Sequence, residues 1–210
     1  MQESVQLPDR PESVPDVDKP QELCPWWVGY LLASPIRKIL HRPDKMLARL
    51  VRPGMIVLEP GPGMGFFTLD LARMVGPSGL VVAVDLQPKM LQGLRRRVAR
   101  AGLLDSVEIR QSSPDSLGIA DLKSAVDFTL AAAVVHEMPS ARWFFDQASD
   151  VSKPGARLLL VEPKGHVTAT RFDAELRAAR DAGFTCLAAG SVPRSHSALL
   201  EKTRRSVNLP

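Results

Sequence analysis

Between residues 55 and 162 the chain alternates short apolar runs with segments in which apolar residues recur at helical spacing. The runs have the length and β-branched content of strands, and they cover residues 55–59, 80–85, 107–110, 125–131 and 156–162. Because most of these runs are almost continuously apolar, the predicted strands should be buried on both faces. Buried strands separated by amphipathic helices indicate an α/β fold, in which helices cover both sides of a parallel sheet.

The C-terminal part of the chain departs from this alternation. A helical pattern ends at Gly183, and two strand-like runs follow at residues 184–190 and 195–202. Strands joined by so short a connection must be antiparallel. The sequence therefore predicts a doubly wound, mostly parallel sheet of seven strands that ends in an antiparallel hairpin.

The length of 210 residues leaves room for one ordinary domain with extensions. Residues 1–22 are rich in Pro, Asp, Glu and Ser and are predicted to form a flexible tail. Residues 23–50 show helical spacing broken by prolines, which predicts an N-terminal cap of short helices. Residues 51–202 form the predicted main domain, and residues 203–210 form a second tail.

Composition limits where the protein acts and what it binds. No apolar run approaches the roughly 20 residues that cross a bilayer, and the N-terminus lacks the features of a secretory signal. We therefore expect a soluble, cytoplasmic protein without membrane insertion. The two cysteines have no partners at metal-ligand spacing, so no metal site is expected. The net charge of +4 suits an anionic partner or nucleic acid but is spread over the whole chain.

A glycine-rich loop follows the first predicted strand, with Gly61, Gly63 and Gly65 at every second position. Glycines there allow a tight turn and let a ligand lie against the backbone. The P-loop motif is absent, and G-x-G-x-G replaces the G-x-G-x-x-G of nicotinamide sites. The negative charge of Glu59 would repel a pyrophosphate but would suit a cation. Asp85 ends the second strand, and its carboxylate can accept hydrogen bonds from both hydroxyls of a ribose. A ligand with a ribose, a positive charge and no phosphate is S-adenosylmethionine.

From about Trp26 to Lys202 the chain resembles the class I S-adenosylmethionine-dependent methyltransferases, which have a Rossmann-like fold. The stretch VLEPGPGMG is similar to their first motif, and VVAVDLQPKML is similar to their second. VSKPGARLLLVEP resembles the segment with a Pro-Gly turn before their fifth strand, and the closing hairpin resembles their antiparallel seventh strand. Within the class, the chain is similar to the small-molecule branch related to ubiquinone and menaquinone biosynthesis.

The resemblance implies how the cofactor is held. The glycine loop would lie under its methionine and ribose parts, with Glu59 near the amino group and Asp85 on the ribose. The adenine would be bounded by Leu86 and Met90, and by Ser113, which occupies the position of the usual acid. The further candidates for cofactor contact are Ala131, Arg37 and Tyr30. Two alternatives stay open, since Asp85 could cap a helix and Glu59 could form a salt bridge.

Methyl transfer depends on in-line placement of the acceptor and needs at most one general base. His136 and Glu137 follow the fourth predicted strand, on the loop that faces the methyl group in this family. His136 is the candidate base because an imidazole can take a proton near neutral pH. The alternatives are that His136 only packs at the helix entrance and that Glu137 is structural.

The acceptor side of the site is predicted from less specific features. The N-terminal cap could close over the cofactor with Trp26 and Trp27, and Arg37 or His41 could reach the cofactor carboxylate. Glu162 and His166, past the fifth strand, are candidates to line the acceptor pocket. Cys24 is either a small buried residue or a thiol for a soft substrate.

These features together predict an S-adenosylmethionine-dependent methyltransferase with a small-molecule acceptor. Methyl transfer to RNA is a rival, prompted by the basic stretch LRRRVAR, although a solvated helix face explains that stretch equally well. Transfer to a protein and a non-catalytic S-adenosylmethionine-binding role are further rivals. A homodimer stays an open alternative.

Overall fold

The computed structural model describes residues 46–189 and 192–203. Seven strands in this part of the chain form one sheet of order β3-β2-β1-β4-β5-β7-β6. They are β1 (Ile56–Pro60), β2 (Leu80–Asp85), β3 (Val107–Gln111), β4 (Val126–Ala132), β5 (Ser152–Pro163), β6 (Phe184–Ala189) and β7 (Ser195–Lys202). The first five strands are parallel, whereas β7 runs antiparallel to both β5 and β6. The predicted sheet and its antiparallel hairpin are therefore confirmed.

Several predicted features lie outside the described residues. They are the tail at residues 1–22, most of the cap at residues 23–50, nearly all of the tail at residues 203–210, and the candidates Cys24, Trp26, Trp27, Tyr30, Arg37 and His41. The expectations for these segments stay predictions.

Four α-helices in the described residues cover the sheet: α1 (Thr68–Val75), α2 (Pro88–Arg100), α3 (Ala141–Val151) and α4 (Ala169–Asp181). Two of them begin at side chains that satisfy free backbone N–H groups. The Ser140 hydroxyl accepts from the N–H of Trp143 at 3.0 Å, and the Thr168 hydroxyl accepts from the N–H of Arg171 at 3.2 Å. None of the helices in residues 46–189 and 192–203 has the length and apolar character needed to cross a membrane.

Two apolar cores lie on opposite faces of the sheet, because successive strand residues point to opposite sides. Val57 of β1 belongs to the core that contains Leu71 of α1 and Leu94 of α2. Its neighbour Leu58 belongs to the core that contains Phe144 of α3 and Ala179 of α4. The helices thus cover both faces, which explains why the sequence shows continuously apolar strands.

Strand β5 begins earlier than the sequence predicts. It was expected at residues 156–162, after a Pro-Gly turn, but Ser152 already pairs with Val126 of β4. The register then shifts before Phe128 pairs with Arg157, and Gly155 has a φ of +81°. Glycine adopts this backbone conformation at little cost, so the chain passes the Pro-Gly pair as an irregularity within the strand.

The strand order reverses between β1 and β4, which are direct neighbours. From β1 the sheet continues through β2 and β3 in one direction, and from β4 it continues through β5, β7 and β6 in the other. Open α/β sheets bind ligands in the crevice beside the carboxyl ends of strands at such a reversal. The loops that follow β1, β2 and β4 are therefore where a ligand site is expected.

Candidate active site

The glycine loop after β1 is held tightly between two neighbouring elements. Gly61 and Gly65 have φ values of +62° and +83°, which residues with a side chain rarely adopt. A Cβ at Gly61 would lie 2.4 Å from Cγ2 of Val134, and a Cβ at Gly65 would lie 2.5 Å from Cδ1 of Leu94. The loop is thus packed against the segment after β4 on one side and against α2 on the other.

The middle glycine faces open space. Gly63 has a φ of +54°, and a Cβ built there would meet no atom within 4 Å among the described residues. The backbone is therefore bare on the side away from the packing contacts. A flat or extended ligand can approach the main chain at this point.

Glu59 lies beside this loop as a buried acid. Its side chain is 3% exposed, and its Oε2 atom has no hydrogen-bond partner among the described residues. The pKa of Glu59 is raised to about 8, chiefly by burial and to a smaller extent by the charges of Asp85 and Asp70, while the hydroxyl of Thr68 opposes the rise. Glu59 forms no salt bridge with any residue in the described ranges, so the salt-bridge alternative gains no support. A buried carboxyl group with no cationic partner among the described residues suits a positively charged ligand.

Asp85, at the end of β2, connects that strand to both the glycine loop and α2. Its Oδ1 atom accepts from the N–H of Gln87 at 2.8 Å. Burial raises the pKa of Asp85, whereas hydrogen bonds from the backbone N–H groups of Gln87, Gly63 and Leu86 oppose that rise. The N-cap of α2 is Gln87, so Asp85 supports the turn before the helix and is not its cap.

The remaining cofactor candidates differ in their surroundings. Leu86 is half-buried and Met90 is 4% exposed, and both lie at the start of α2 beside Asp85. Ser113 is exposed after β3, where its N–H donates to the carbonyl of Ser116 at 2.9 Å. Ala131 is fully buried in the core on the side of α3 and α4.

Arg97 is a residue of the site that sequence reasoning missed. The sequence places Arg95, Arg96, Arg97 and Arg100 together on a solvated helix face, and three of them are exposed. Arg97 is instead half-buried, and its Nη1 atom donates to the carbonyl of Met64 at 2.7 Å. It therefore holds the glycine loop from α2. Successive helix residues point in different directions, so Arg97 faces the loop while Arg95, Arg96 and Arg100 face outward. The run of arginines in the sequence does not reveal which of them turns inward.

His136 and Glu162 form a buried pair at the carboxyl ends of β4 and β5. His136 is 4% exposed, and its Nδ1 atom lies 2.5 Å from Oε2 of Glu162. The other oxygen of Glu162 accepts from the N–H of Val135 at 2.8 Å. An ionised carboxylate can only accept, so when Glu162 is a carboxylate Nδ1 donates this hydrogen bond and Nε2 is the ring nitrogen left to accept a proton.

The other acceptor-side candidates lie close to this pair. Glu162 itself belongs to β5 and is fully buried, so it lies within the strand and not past it. His166 is exposed, with its ring centroid 5.8 Å from that of His136. Glu137 is half-buried in the short turn that carries His136. The structure thus brings Glu137, His136, Glu162 and His166 together at one edge of the sheet.

Comparison with known proteins adds the family to this geometry. A family model described as a methyltransferase domain matches residues 52–201, well over half of the chain. The chain belongs to this methyltransferase family. The domain is of the class I, S-adenosylmethionine-dependent type, as its strand order and its relatives show.

Individual relatives of this methyltransferase domain are moderately similar to it. An arsenite methyltransferase of Halobacterium salinarum is 30% identical over 150 residues, which are 71% of this chain and 37% of that protein. A ubiquinone/menaquinone biosynthesis C-methyltransferase of Hahella chejuensis is 30% identical over 126 residues, which are 59% of this chain and 50% of that protein. The chain therefore spans between about a third and a half of these curated relatives.

A solved structure covers more of the chain. The S-adenosylmethionine-dependent methyltransferase from Aquifex aeolicus is 26% identical and superposes with a TM-score of 0.77. The alignment includes 86% of this chain and all of that chain. The whole architecture of this methyltransferase domain is thus shared with a relative of similar extent.

S-adenosylmethionine is the cofactor of this family, and the residues present here fit it. The unpaired Oε2 of Glu59 suits its positively charged groups, and the open face of Gly63 leaves room beside the backbone. Asp85 presents a carboxylate at the neighbouring strand end, where a ribose can be bound. Glu59, the glycine loop and Asp85 are the residues that would hold it.

Cofactor affinity should depend on pH through Glu59. A cationic ligand favours the ionised carboxylate, so the pKa of about 8 falls on binding and a proton is released. Between pH 6 and 7 we therefore expect the association constant to rise with pH, by up to about tenfold per pH unit for one proton. Titration calorimetry in two buffers of different ionisation enthalpy measures both the affinity and the proton release.

The matched control for this dependence is Glu59→Gln, which keeps the shape of the side chain without its charge. This variant should bind S-adenosylmethionine more weakly and with little dependence on pH. Binding by the wild-type protein at pH 7 with no release of a proton would show that Glu59 does not face the cationic part of the ligand.

Arg97 should contribute to cofactor affinity through the loop it holds. Arg97→Met keeps the aliphatic part of the side chain but removes the hydrogen bond to the Met64 carbonyl. Hydrogen bonds from charged groups contribute about 1.5 to 3 kcal/mol, and part of this is lost to solvent screening. We expect the dissociation constant to rise by about 5- to 30-fold in calorimetry. Arg96→Met, on the exposed face, should bind like the wild type, and equal affinities for both variants would contradict this role.

Proposed function

We propose that this methyltransferase domain transfers a methyl group from S-adenosylmethionine to a small-molecule acceptor, with His136 as general base. The observation that carries the proposal is the buried pair in which Glu162 binds Nδ1 of His136. In such an arrangement the carboxylate orients the ring and stabilises the imidazolium that forms when Nε2 takes a proton. A buried structural histidine also needs a hydrogen-bond partner, so the turnover of a His136 variant decides between the two roles.

The roles of the chain's own residues follow from their positions. S-adenosylmethionine supplies a methyl group activated by a positively charged sulfur. Glu59, the glycine loop and Asp85 bind and orient it, while the loop after β4 presents His136 to the acceptor. Placement of the acceptor in line with the methyl group can contribute roughly 7 to 11 kcal/mol. His136 then removes the proton from the attacking atom.

The class of acceptor is proposed from the relatives and from the base. The two curated relatives are described as an arsenite methyltransferase and a C-methyltransferase of quinone biosynthesis, and both descriptions name small molecules. A general base assists only an acceptor atom that loses a proton, such as a hydroxyl, an amine, a thiol or an activated carbon. We therefore favour a protonated nucleophile over a trivalent metalloid, which attacks with a free lone pair.

A labelling experiment tests the proposal. Purified protein is incubated with cell extract and methyl-labelled S-adenosylmethionine, and the label is measured separately in small molecules, protein and nucleic acid. We expect label in the small-molecule fraction, and at cofactor concentrations below the dissociation constant we expect it to fall about 10- to 150-fold when Asp85→Ala replaces the wild type. Label in protein or RNA would instead identify the corresponding rival acceptor. Cofactor binding without label in any fraction would support a binding protein without transferase activity.

A further inference from the structure

A second buried acid lies behind the His136–Glu162 pair, on α4. Glu175 is 3% exposed, and neither of its carboxyl oxygens has a hydrogen-bond partner among the described residues. It borders a cavity of about 230 Å³ between α4 and the start of α3, which also touches Val135 and Met138 on either side of the His136 turn. Glu175, on α4, and the turn that carries the candidate base therefore border the same cavity.

One guanidinium lies between Glu175 and that loop. The Nη2 atom of Arg171 donates to the main-chain carbonyl of His136 at 2.9 Å. The Nε atom of the same side chain lies 4.0 Å from Oε1 of Glu175, which is too far for a hydrogen bond. Two acceptors thus lie beside different N–H groups of one guanidinium: the carbonyl of His136 accepts from Nη2, whereas Glu175 is too far from Nε to accept. A shift of the guanidinium toward Glu175 would therefore lengthen its hydrogen bond to the carbonyl.

The charge on Glu175 decides how strongly it competes for Arg171. The pKa of Glu175 is raised to about 8 by burial first and by the charge of Glu162 second, while Arg171 opposes the rise. At pH 7 the group is therefore mostly a neutral acid, which attracts a guanidinium weakly. Above pH 8 it is mostly a carboxylate, which attracts a guanidinium strongly.

The charged and titratable groups near Glu175 come from every element packed around it. Glu162 of β5 and Arg171 of α4 act directly on Glu175. His136, in the loop after β4, contacts both of these residues, and the ring of His166, in the loop after β5, lies beside that of His136. The remaining charged groups that border the same cavity are Arg142 of α3 and Arg177 and Asp181 of α4. Arg142 is bound to Asp146 on its own helix. Arg171 is thus the cation that lies within reach of both acceptors.

We propose that Arg171 and Glu175 are positioning residues that act on His136 through its main-chain carbonyl. When Glu175 is neutral, Arg171 holds the carbonyl and fixes the turn that presents the imidazole. When Glu175 is ionised, Arg171 moves toward the carboxylate and releases the turn. The inference rests on the proposed role of His136 in methyl transfer, but the movement of Arg171 can be measured without any transfer.

The test is an NMR titration of the full chain, labelled with carbon-13 and nitrogen-15, between pH 6 and pH 9.5. The signal followed is the carbonyl carbon of His136, whose chemical shift reports the hydrogen bond it accepts. We expect a step with a midpoint near pH 8 in the wild type. The step should be absent in Glu175→Gln and in Arg171→Met, and it should persist in Asp173→Asn, which removes an exposed acid from the same helix.

The outcomes separate this inference from the proposed function. A step of wild-type size in Glu175→Gln or in Arg171→Met, or no step in the wild type, would overturn the positioning role. Where transfer is followed as well, wild-type turnover should fall by up to about tenfold from pH 7 to pH 9, because about nine tenths of Glu175 is then ionised. Glu175→Gln should keep at pH 9 the turnover that it has at pH 7. Loss of the base assignment would leave the carbonyl titration unchanged.

Discussion

Replacing His136 with Asn is expected to lower turnover by about 10²- to 10⁴-fold, the usual contribution of a general base. The asparagine amide places a donor near the position of Nδ1, so the hydrogen bond to Glu162 is kept, while the basic nitrogen Nε2 is lost. Affinity for S-adenosylmethionine should stay within about twofold of the wild type. Turnover with labelled cofactor and binding by calorimetry measure the two quantities separately.

The choice of asparagine matters because Glu162 is completely buried. Alanine at position 136 would leave the buried carboxylate of Glu162 without its imidazole partner, which costs about 3 to 5 kcal/mol of stability. A loss of turnover in that variant could then result from unfolding instead of from loss of the base. His196→Gln changes a histidine that stacks on Phe172 and serves as the control. Full turnover in His136→Asn would leave placement of the acceptor as the whole mechanism.

Replacing Asp85 with Ala is expected to raise the dissociation constant for S-adenosylmethionine by about 10- to 150-fold. This corresponds to about 1.5 to 3 kcal/mol, the contribution of hydrogen bonds to a charged group. The physical reason is twofold, since the variant loses the carboxylate for the ribose and the support that Gln87 and Gly63 receive from it. Calorimetric titration with S-adenosylmethionine measures the change.

Two controls separate these contributions. Asp105→Ala removes an exposed acid after α2 and should leave affinity unchanged. Asp85→Asn keeps an oxygen that can accept from the Gln87 N–H, so it should preserve the turn and lose mainly the charge. Wild-type affinity in Asp85→Ala would remove the ribose assignment altogether.

The sheet and the glycine loop after β1 could be predicted because their signals are local. Each strand is a short apolar run, and the glycines of the loop stand within five residues of one another. Steric demands on a glycine and burial of a strand act on neighbouring residues, so they leave a pattern in the sequence. Only the start of β5 was misplaced, because the sheet pairing of Ser152 overrides the Pro-Gly signal.

The contacts behind the site could not be predicted because they join distant positions. Glu162 lies 26 residues from His136, and Arg171 lies 35 residues from the carbonyl it binds. Arg97 reaches a carbonyl 33 residues away, although its sequence neighbours suggest a solvated helix face. Such pairings are set by how helices rotate and pack on the sheet, and a single sequence carries no record of that rotation.

The position of β7 between β5 and β6 has a consequence for how the chain folds during synthesis. Until the ribosome has released residues 195–202, the backbone groups along one edge of β5 have no strand to pair with. This edge includes the apolar residues Leu158, Leu159 and Leu160. Unpaired apolar edges pair readily with other chains, so the nascent chain is vulnerable to aggregation in this interval. A stop codon before β7 would therefore yield an aggregating chain rather than a slightly shortened enzyme.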